Sequence, residues 1–415
     1  MNINFKFSLL MLFLTVSLLP AWAQKIKIKK EHPKLILSQA DLQTMRANAL
    51  SKSEPWKTAW DSLRKDLDIF IEEGKGATVY RGDLSMNFYH AAIKDGSMAR
   101  DLAIAYQITK DKRYANKAIE LIKDWSSKEN MAGKDFDSTK FYPNTGMVVS
   151  RGVFTFLYAY DLLATDNLID GNTETQFKNW LRVLVPHIKE GARRWEANDY
   201  FGKQYYQNHI VADAVGLLAI GVILGDTELV KYAYEGENNS RNIKKIIEGI
   251  ILMKGQQAYE GEPGKWPTQD GEIMDRYRHF ALHHYKDTTK PNRALQYAGL
   301  STNLLVIAAE IGRINGLDLY GWKAKTGEAI RQPLLFYADF YITKDASIKG
   351  GFYKGEDSWI NYNSQATFSL WEVAHARYPK EPKFQEVLRS NNRSNTDLHL
   401  LGPVLLTHGR SIDKN

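Results

Sequence analysis

An asparagine and a histidine stand side by side at the start of an apolar segment. Asn208 and His209 follow Tyr205 and Tyr206 closely, and the apolar run 210–224 comes directly after them. An amide and an imidazole that are adjacent at a helix entrance can both point into a cleft. The alternative interpretation is that Asn208 caps the helix and His209 is an ordinary first-turn residue.

A second polar pair precedes another apolar segment. Arg293 lies four residues before Tyr297, and the apolar run 298–313 follows. Here the alternative is that Tyr297 packs at the helix start while Arg293 is solvated. The two segments together favour a functional site over two unrelated helix starts.

An acidic loop offers a competing chemistry. Asp270 and Glu272, with Glu260 and Glu262 nearby, could supply the two carboxylates of a glycoside hydrolase. Spacing alone does not show how far apart these carboxylates lie, and acidic loops are common. A glycoside hydrolase is therefore kept as the alternative to a site built from the two polar pairs.

Three histidines, His279, His283 and His284, invite a metal-binding interpretation, because His279 and His283 would share one face of a helix. No companion set of ligands stands out in the sequence, and this favours surface histidines. We therefore predict neither a metal site nor a cofactor.

The segments around these residues have the periodicity of helices. Apolar residues recur three and four positions apart, which is typical of helices rather than strands. Ser38 begins a predicted capped helix that ends at Ala49, with Asp41 three residues after the cap. Further helices are predicted over 99–108, 113–125, 148–163, 173–195, 209–224, 242–253, 300–313 and 332–341. Paired through short polar turns, such helices predict an all-α fold, an (α/α) toroid or incomplete barrel of helical hairpins.

The N-terminus has the pattern of an export signal. Lys6 precedes the apolar run 9–19, and Ala21-Trp22-Ala23 before Gln24 matches a small-x-small cleavage site. We predict a signal peptide over 1–23 and a single (α/α)-barrel domain over 24–415, exported to the periplasm or secreted. The apolar run is too short for a confident membrane span, so no membrane insertion is expected.

Charge and cysteine content narrow the classes of partner. The formal net charge of +7 suggests an acidic partner. The cations are scattered rather than clustered, so we predict no nucleic-acid binding, and export favours an acidic glycan instead. A merely soluble surface with a modest charge excess is the alternative. The absence of cysteine excludes a thiol nucleophile and cysteine-ligated metal.

The two polar pairs, taken in order, resemble the alginate lyase superfamily, particularly polysaccharide lyase families 5 and 38. That pattern has an Asn-His pair at the start of one barrel helix and an arginine shortly before a tyrosine at the start of a later one. The apolar run 304–310 after Tyr297, the hairpin-like stretch 103–121, and Asn144-Thr145-Gly146 with Arg151-Gly152 are also similar. The resemblance covers residues 91–313.

The resemblance implies roles for individual residues. Asn208 and His209 would neutralise a substrate carboxylate, or His209 would act as the base, and Tyr297 would transfer the proton. In family 5 the arginine stands seven residues before the tyrosine, where this chain has Lys290. Arg293 is nearest to that position.

Arg276 or Arg278 in the preceding loop could fill the role of that arginine instead. Substrate binding is expected from residues in the loops and helix starts around the polar pairs: Arg151, Trp195, Tyr205, Tyr206, Trp266, Arg276 and Arg278.

The implied reaction is β-elimination on a uronate, without metal. It removes the proton at C5, beside a carboxylate, and expels the O4 glycosidic oxygen. Hydrogen-bond donors and cations must hold that carboxylate while negative charge develops on it. The sequence thus predicts an enzyme that cuts an acidic polysaccharide, most directly alginate at mannuronate. A glucuronan lyase, an (α/α)-barrel glycoside hydrolase and a non-catalytic glycan-binding protein are the alternatives.

Overall fold

The computed structural model describes residues 26–78, 80, 82–127, 133, 144–197, 206–256, 267–276, 292–357, 360, 368–394 and 397–412. Helices dominate them. In chain order they begin with α1 (Gln39–Leu50), α2 (Trp56–Glu72), α3 (Met86–Thr109), α4 (Lys112–Ser126), α5 (Thr145–Ala164), α6 (Gly171–Ala197) and α7 (Asn208–Leu224). They continue with α8 (Thr227–Glu235), α9 (Ile243–Ile250), α10 (Ala294–Ile314), α11 (Arg331–Thr343), α12 (Leu370–Arg377), α13 (Pro382–Arg389) and α14 (Val404–His408).

Two short antiparallel pairs of strands accompany the helices. β1 (Ile251–Leu252) pairs with β2 (Glu272–Ile273). β3 (Asp397–Leu398) pairs with β4 (Gly402–Pro403) near the C-terminus. Both pairs lie close to the site described below, so they serve to position loops rather than to form a sheet layer.

The helices form two layers. α3, α5, α7 and α10 pack side by side as an inner row, and α4 and α6 pack against that row from outside. The inner helices are apolar on nearly every face, because each touches neighbours on both sides: α7 is buried from its first residue to Ile223. This alternation is the (α/α) toroid, and the all-α prediction is confirmed.

The start of α3 differs from the prediction. The helix predicted from Ala99 begins at Met86. Asp95 interrupts the apolar pattern in between, yet its carboxylate is buried and accepts hydrogen bonds from the Trp125 indole at 2.7 Å and the Thr78 backbone N–H at 2.6 Å. A buried acid with such partners continues the core, although periodicity counts it as polar.

Other boundaries follow local chemistry. The capping box predicted at Ser38 is present, with reciprocal hydrogen bonds to Asp41 of 3.1 and 2.9 Å. The helix predicted over 242–253 ends at Ile250, because the next two residues pair with β2. The helices α2, α8, α12, α13 and α14 were not predicted.

Two helices in the described part of the chain are long and apolar enough to cross a membrane by length and composition. They are α5 and α10, whose most apolar windows are 89% and 78% buried within the protein. Both belong to the inner row, where a core helix has the same composition as a membrane span. Their burial explains their hydropathy without a membrane.

A buried ion-pair network surrounds the C-terminal half of α10. The Glu310 carboxylate accepts two hydrogen bonds of 2.7 Å from Arg377 and one of 2.6 Å from the Tyr320 hydroxyl. Arg313 bridges Glu310 to Asp41 of α1. Burial alone would raise the pKa of Glu310, but the nearby His408 and Arg377 hold it well below its ordinary value. The network ties the N- and C-terminal helices to the inner row.

Candidate active site

The start of α7 is capped by a carboxylate from elsewhere in the chain. Asp275, just after β2, accepts a 2.8 Å hydrogen bond from the Asn208 backbone N–H and a 3.3 Å one from the Asn208 side-chain amide. The cap residue of α7 is Gln207, whose side chain makes no capping bond. The alternative that Asn208 itself caps the helix is therefore wrong. Instead, Asp275 fixes the direction of the Asn208 amide.

Asp275 also joins α7 to α10. The Ser301 hydroxyl donates a hydrogen bond to the same carboxylate. Ser301 is four residues after Tyr297 and therefore lies on the same face of α10, one turn away. The two polar pairs of the sequence thus sit on adjacent inner helices that share one buried acid.

His209 stacks on Trp195, which lies near the end of α6. The ring centroids are 3.9 Å apart and the rings are 12° from parallel. Trp195 is only 5% exposed. The stacking orients the imidazole, and the predicted role of Trp195 as a sugar platform gives way to a role behind His209.

A second buried acid caps α10. Glu356 accepts backbone hydrogen bonds from Leu295 at 2.8 Å and Gln296 at 3.1 Å, in the first turn that precedes Tyr297. Burial raises the pKa of Glu356 to about 7, against the backbone donors that lower it. Within this turn Tyr297 is half-buried and Arg293 is exposed.

Arg151, on α5, is within electrostatic range of Tyr297. Its guanidinium donates hydrogen bonds to the Tyr89 hydroxyl at 3.0 Å and to Nε2 of His399 at 2.7 and 3.1 Å. Burial lowers the pKa of Arg151, and the hydroxyl groups of Tyr89 and Tyr297 within electrostatic range oppose that shift. Arg151, which the sequence predicts as a substrate-binding residue, is thus held by Tyr89 and His399 within electrostatic range of Tyr297.

The inner helices approach closely below this site. A Cβ on Gly146 would lie 2.6 Å from Oδ1 of Asp213, and a Cβ on Gly216 would lie 2.4 Å from the Ser150 hydroxyl oxygen. Asp213 is one turn after His209 on α7, and burial raises its pKa well above the ordinary value. Glycine at these two positions lets α5 and α7 bring Arg151 and His209 to the same end of the toroid.

The remaining predicted residues have different environments. Arg276 is 1% exposed, paired with Glu272 and placed 4.4 Å above the Phe352 ring. Glu272 also accepts hydrogen bonds from the Tyr353 hydroxyl and the Gln269 backbone N–H. This residue of the acidic loop therefore stabilises the turn at β2.

Tyr206 is half-buried, and its hydroxyl donates to the Ser240 carbonyl at 3.3 Å. Several predicted residues lie outside the described part of the chain: Tyr205, Trp266, Arg278, Lys290, Glu260, Glu262 and the histidines His279, His283 and His284.

Sequence reasoning missed four residues of the site: Tyr89, Asp275, Glu356 and His399. Asp275 and Glu356 act on helix starts 67 and 61 residues away along the chain. His399 reaches Arg151 across 248 residues. No local motif marks such contacts, since they exist only after the helices have packed.

Comparison with known proteins supports this architecture. The sequence matches the family model described as alginate lyase over residues 43–347, nearly three quarters of the chain. The fold is similar to that of an alginate lyase from Bacteroides ovatus, with a TM-score of 0.63 and 13% identity, covering 92% of this chain and 100% of that one. A comparison with curated proteins gives no match.

Alginate lyase A1-III from Sphingomonas species A1 is similar at a TM-score of 0.57 and 15% identity, covering 89% of this chain and 95% of that one. A histidine-to-alanine variant of alginate lyase A1-III, complexed with a tetrasaccharide, is similar at a TM-score of 0.58 and 15% identity, covering 90% and 95%. At these identities the structural likeness establishes the fold.

Proposed function

The chain belongs to the alginate lyase family, and on that premise we propose that it is an exported enzyme that cuts alginate at mannuronate by β-elimination. A polysaccharide lyase of this family acts on an acidic polymer. The finer elements of the proposal are the mannuronate preference, the roles of single residues and the export.

One observation carries the assignment of residues: the Asp275 carboxylate links Asn208 to Ser301, one turn from Tyr297. An amide donor and a phenol therefore face the same region between α7 and α10. Elimination needs both, because a donor must hold the uronate carboxylate while another group removes the C5 proton.

In the proposed mechanism Asn208 and His209 donate to the substrate carboxylate and disperse the negative charge that forms as C5 loses its proton. Tyr297 accepts that proton and returns it to the O4 leaving oxygen. Where the C5 proton and O4 lie on opposite sides of the sugar, His209 takes the proton and Tyr297 protonates O4. A cation near the tyrosine offsets the negative charge on the phenolate oxygen that accepts the proton.

In this proposal two arginines supply positive charge, one near the proton-transfer residue and one where the polymer arrives. Arg151 is held by Tyr89 and His399 within electrostatic range of Tyr297. Arg293 is exposed one turn before Tyr297 and free to meet a polymer carboxylate as it arrives. Arg276 is engaged by Glu272, so we assign it to the support of the β2 turn rather than to the substrate.

The test is incubation of the purified protein with poly-mannuronate, poly-guluronate, glucuronan and glycosaminoglycans. Elimination leaves a C4–C5 double bond conjugated to the carboxylate, so ultraviolet absorbance rises as chains shorten. We expect the fastest rise with poly-mannuronate. Shortening without new absorbance would mean hydrolysis, and binding without shortening would mean a capture protein.

Tyr297→Phe should lower turnover by about a thousandfold or more, because the proton-transfer group is lost, while polymer binding remains. Tyr232→Phe is the matched control, since Tyr232 is a half-buried tyrosine on the outer helix α8. Equal activity of the Tyr297 variant and this control would remove Tyr297 from the mechanism. Export is tested separately: the N-terminus of the protein recovered outside the cytoplasm should be Gln24.

A further inference from the structure

His399 belongs to a segment that the family match does not reach. The match ends at residue 347, and His399 lies between the short strands β3 and β4. Its side chain is nevertheless buried, 4% exposed, in contact with Arg151 at the site. The C-terminal hairpin therefore contributes to the site from outside the matched region.

The hydrogen bonds between the two residues have one possible direction. A guanidinium only donates, so Nε2 of His399 must be the unprotonated acceptor, and the ring proton must be on Nδ1. Burial lowers the pKa of His399 well below its ordinary value, and the positive charges of Arg151 and Arg100 lower it further. The imidazole is thus kept neutral between two guanidinium groups.

The hairpin around His399 is firmly seated. The His399 carbonyl accepts a 2.9 Å hydrogen bond from the Asn303 amide of α10, the helix that carries Tyr297. Leu400 has a φ of 70°, a conformation that costs a branched residue energy, and its carbonyl accepts a 3.1 Å hydrogen bond from Arg100. At Gly402 a Cβ would lie 2.4 Å from the Arg100 side chain. A strained, close-packed turn of this kind presents its side chain in one position.

We propose that His399 is a positioning residue that acts through Arg151, holding the guanidinium in one place at the site by accepting its hydrogen bonds. This inference rests on the proposed function. Arg151 has a flexible side chain, and without His399 its guanidinium would keep only the Tyr89 hydroxyl at 3.0 Å and the Met147 sulfur, a weak acceptor, at 3.4 Å. With the acceptor at His399, two more hydrogen bonds hold the guanidinium, and its charge stays at one place relative to the phenol.

The decisive comparison is His399→Gln against His399→Asn. Both variants are polar, but only glutamine is long enough to carry an acceptor to the place of Nε2. We expect His399→Gln to keep kcat on poly-mannuronate within about fivefold of the unmodified protein. His399→Asn should lose roughly 10- to 100-fold in kcat, the size of effect that follows from a displaced catalytic group, with a smaller change in KM.

His375→Asn is the control, because His375, on α12, is also buried in the C-terminal region but bonds to the Ser411 carbonyl and not to Arg151. It should change thermal stability without changing the kcat of folded protein. Equal kcat in the two His399 variants, or a loss in the His375 variant as large as that of His399→Asn, would overturn the proposal. If the unmodified protein forms no unsaturated product from any uronate polymer, the proposed function itself fails, which is a different result.

Discussion

Helix α10 has a cluster of buried ionisable side chains near each end. Around Glu310, at the C-terminal end, every acid meets an opposite charge: Arg377 and Arg313 pair with Glu310, and Asp41 pairs with Arg313. Around Tyr297, at the N-terminal end, Glu356 faces backbone N–H groups, and Arg151 faces a neutral histidine and a tyrosine hydroxyl.

The pKa shifts at the two ends run in opposite directions. The ion pairs keep the pKa of Glu310 well below its ordinary value in spite of burial, and they raise that of Arg377. At the other end burial dominates, raising the pKa of Glu356 and Asp213 and lowering that of Arg151. At the C-terminal end, ion pairs stabilise the charged forms of Glu310 and Arg377. At the N-terminal end, the cost of burying a charge is not fully offset by opposite charges, as is typical of functional sites.

This difference bears on the proposed function. Arg151, near the N-terminal end of α10, has no carboxylate among its hydrogen-bond partners in the described part of the chain. An acidic polymer would supply the missing negative charge. The C-terminal end needs no such partner, since its charges are already neutralised by one another. The same helix therefore holds the fold together at one end and can receive a substrate at the other.

The largest expected effect comes from removing an ion pair at the C-terminal end of α10. Glu310→Gln leaves the buried Arg377 with only Asp41, 3.9 Å away, as a counter-ion, so the free energy of unfolding should fall by about 3 to 5 kcal/mol. Chemical denaturation measures this loss. The kcat of the protein that remains folded should stay within about threefold of the original, and a selective loss of kcat at unchanged stability would contradict the division between the two ends.

The next effect concerns pH at the unbalanced end. Glu356 has an ordinary pKa of 4.5 and a folded pKa of about 7, so the folded state binds its proton more tightly. The corresponding stability is fully present below pH 4.5 and is lost as the pH rises through 7, by at most about 3 kcal/mol. Glu356→Gln cannot titrate, so its stability relative to the original protein should increase over this pH range. Denaturation of both proteins between pH 4 and 8 measures the difference, and a constant difference would contradict the assignment.

The smallest effect is expected from Asp275→Asn. The variant keeps the shape of the side chain but replaces one acceptor oxygen with an NH2 group among the donors of Asn208 and Ser301. We expect kcat to fall about 10- to 30-fold, roughly 2 kcal/mol, because the Asn208 amide loses its fixed direction. Asp213→Asn provides a comparison, because Asp213 is a buried acid on α7, the helix whose start Asp275 contacts. If Asp275→Asn unfolds the protein without a specific loss of kcat, Asp275 is a structural link only.

Much of the architecture could be predicted from local patterns. The 3.6-residue periodicity identified the inner helices α5, α7 and α10, and the Ser38 capping box marked the start of α1. The early start of α3 could not be predicted in this way. Its first half contains Asp95, whose polarity is compensated by contacts with Trp125 and Thr78 that exist only in the folded protein.

The sequence by itself determined the all-helical class and most of the inner helices, because periodicity and capping are properties of neighbouring residues. It also singled out Asn208, His209 and Tyr297, which stand at the starts of apolar helices. Only the tertiary structure decided how they are held. The carboxylate of Asp275 and the imidazole of His399 arrive from 67 and 248 residues away from the groups that they fix. Such contacts depend on how the inner helices pack, and no spacing along the chain encodes them.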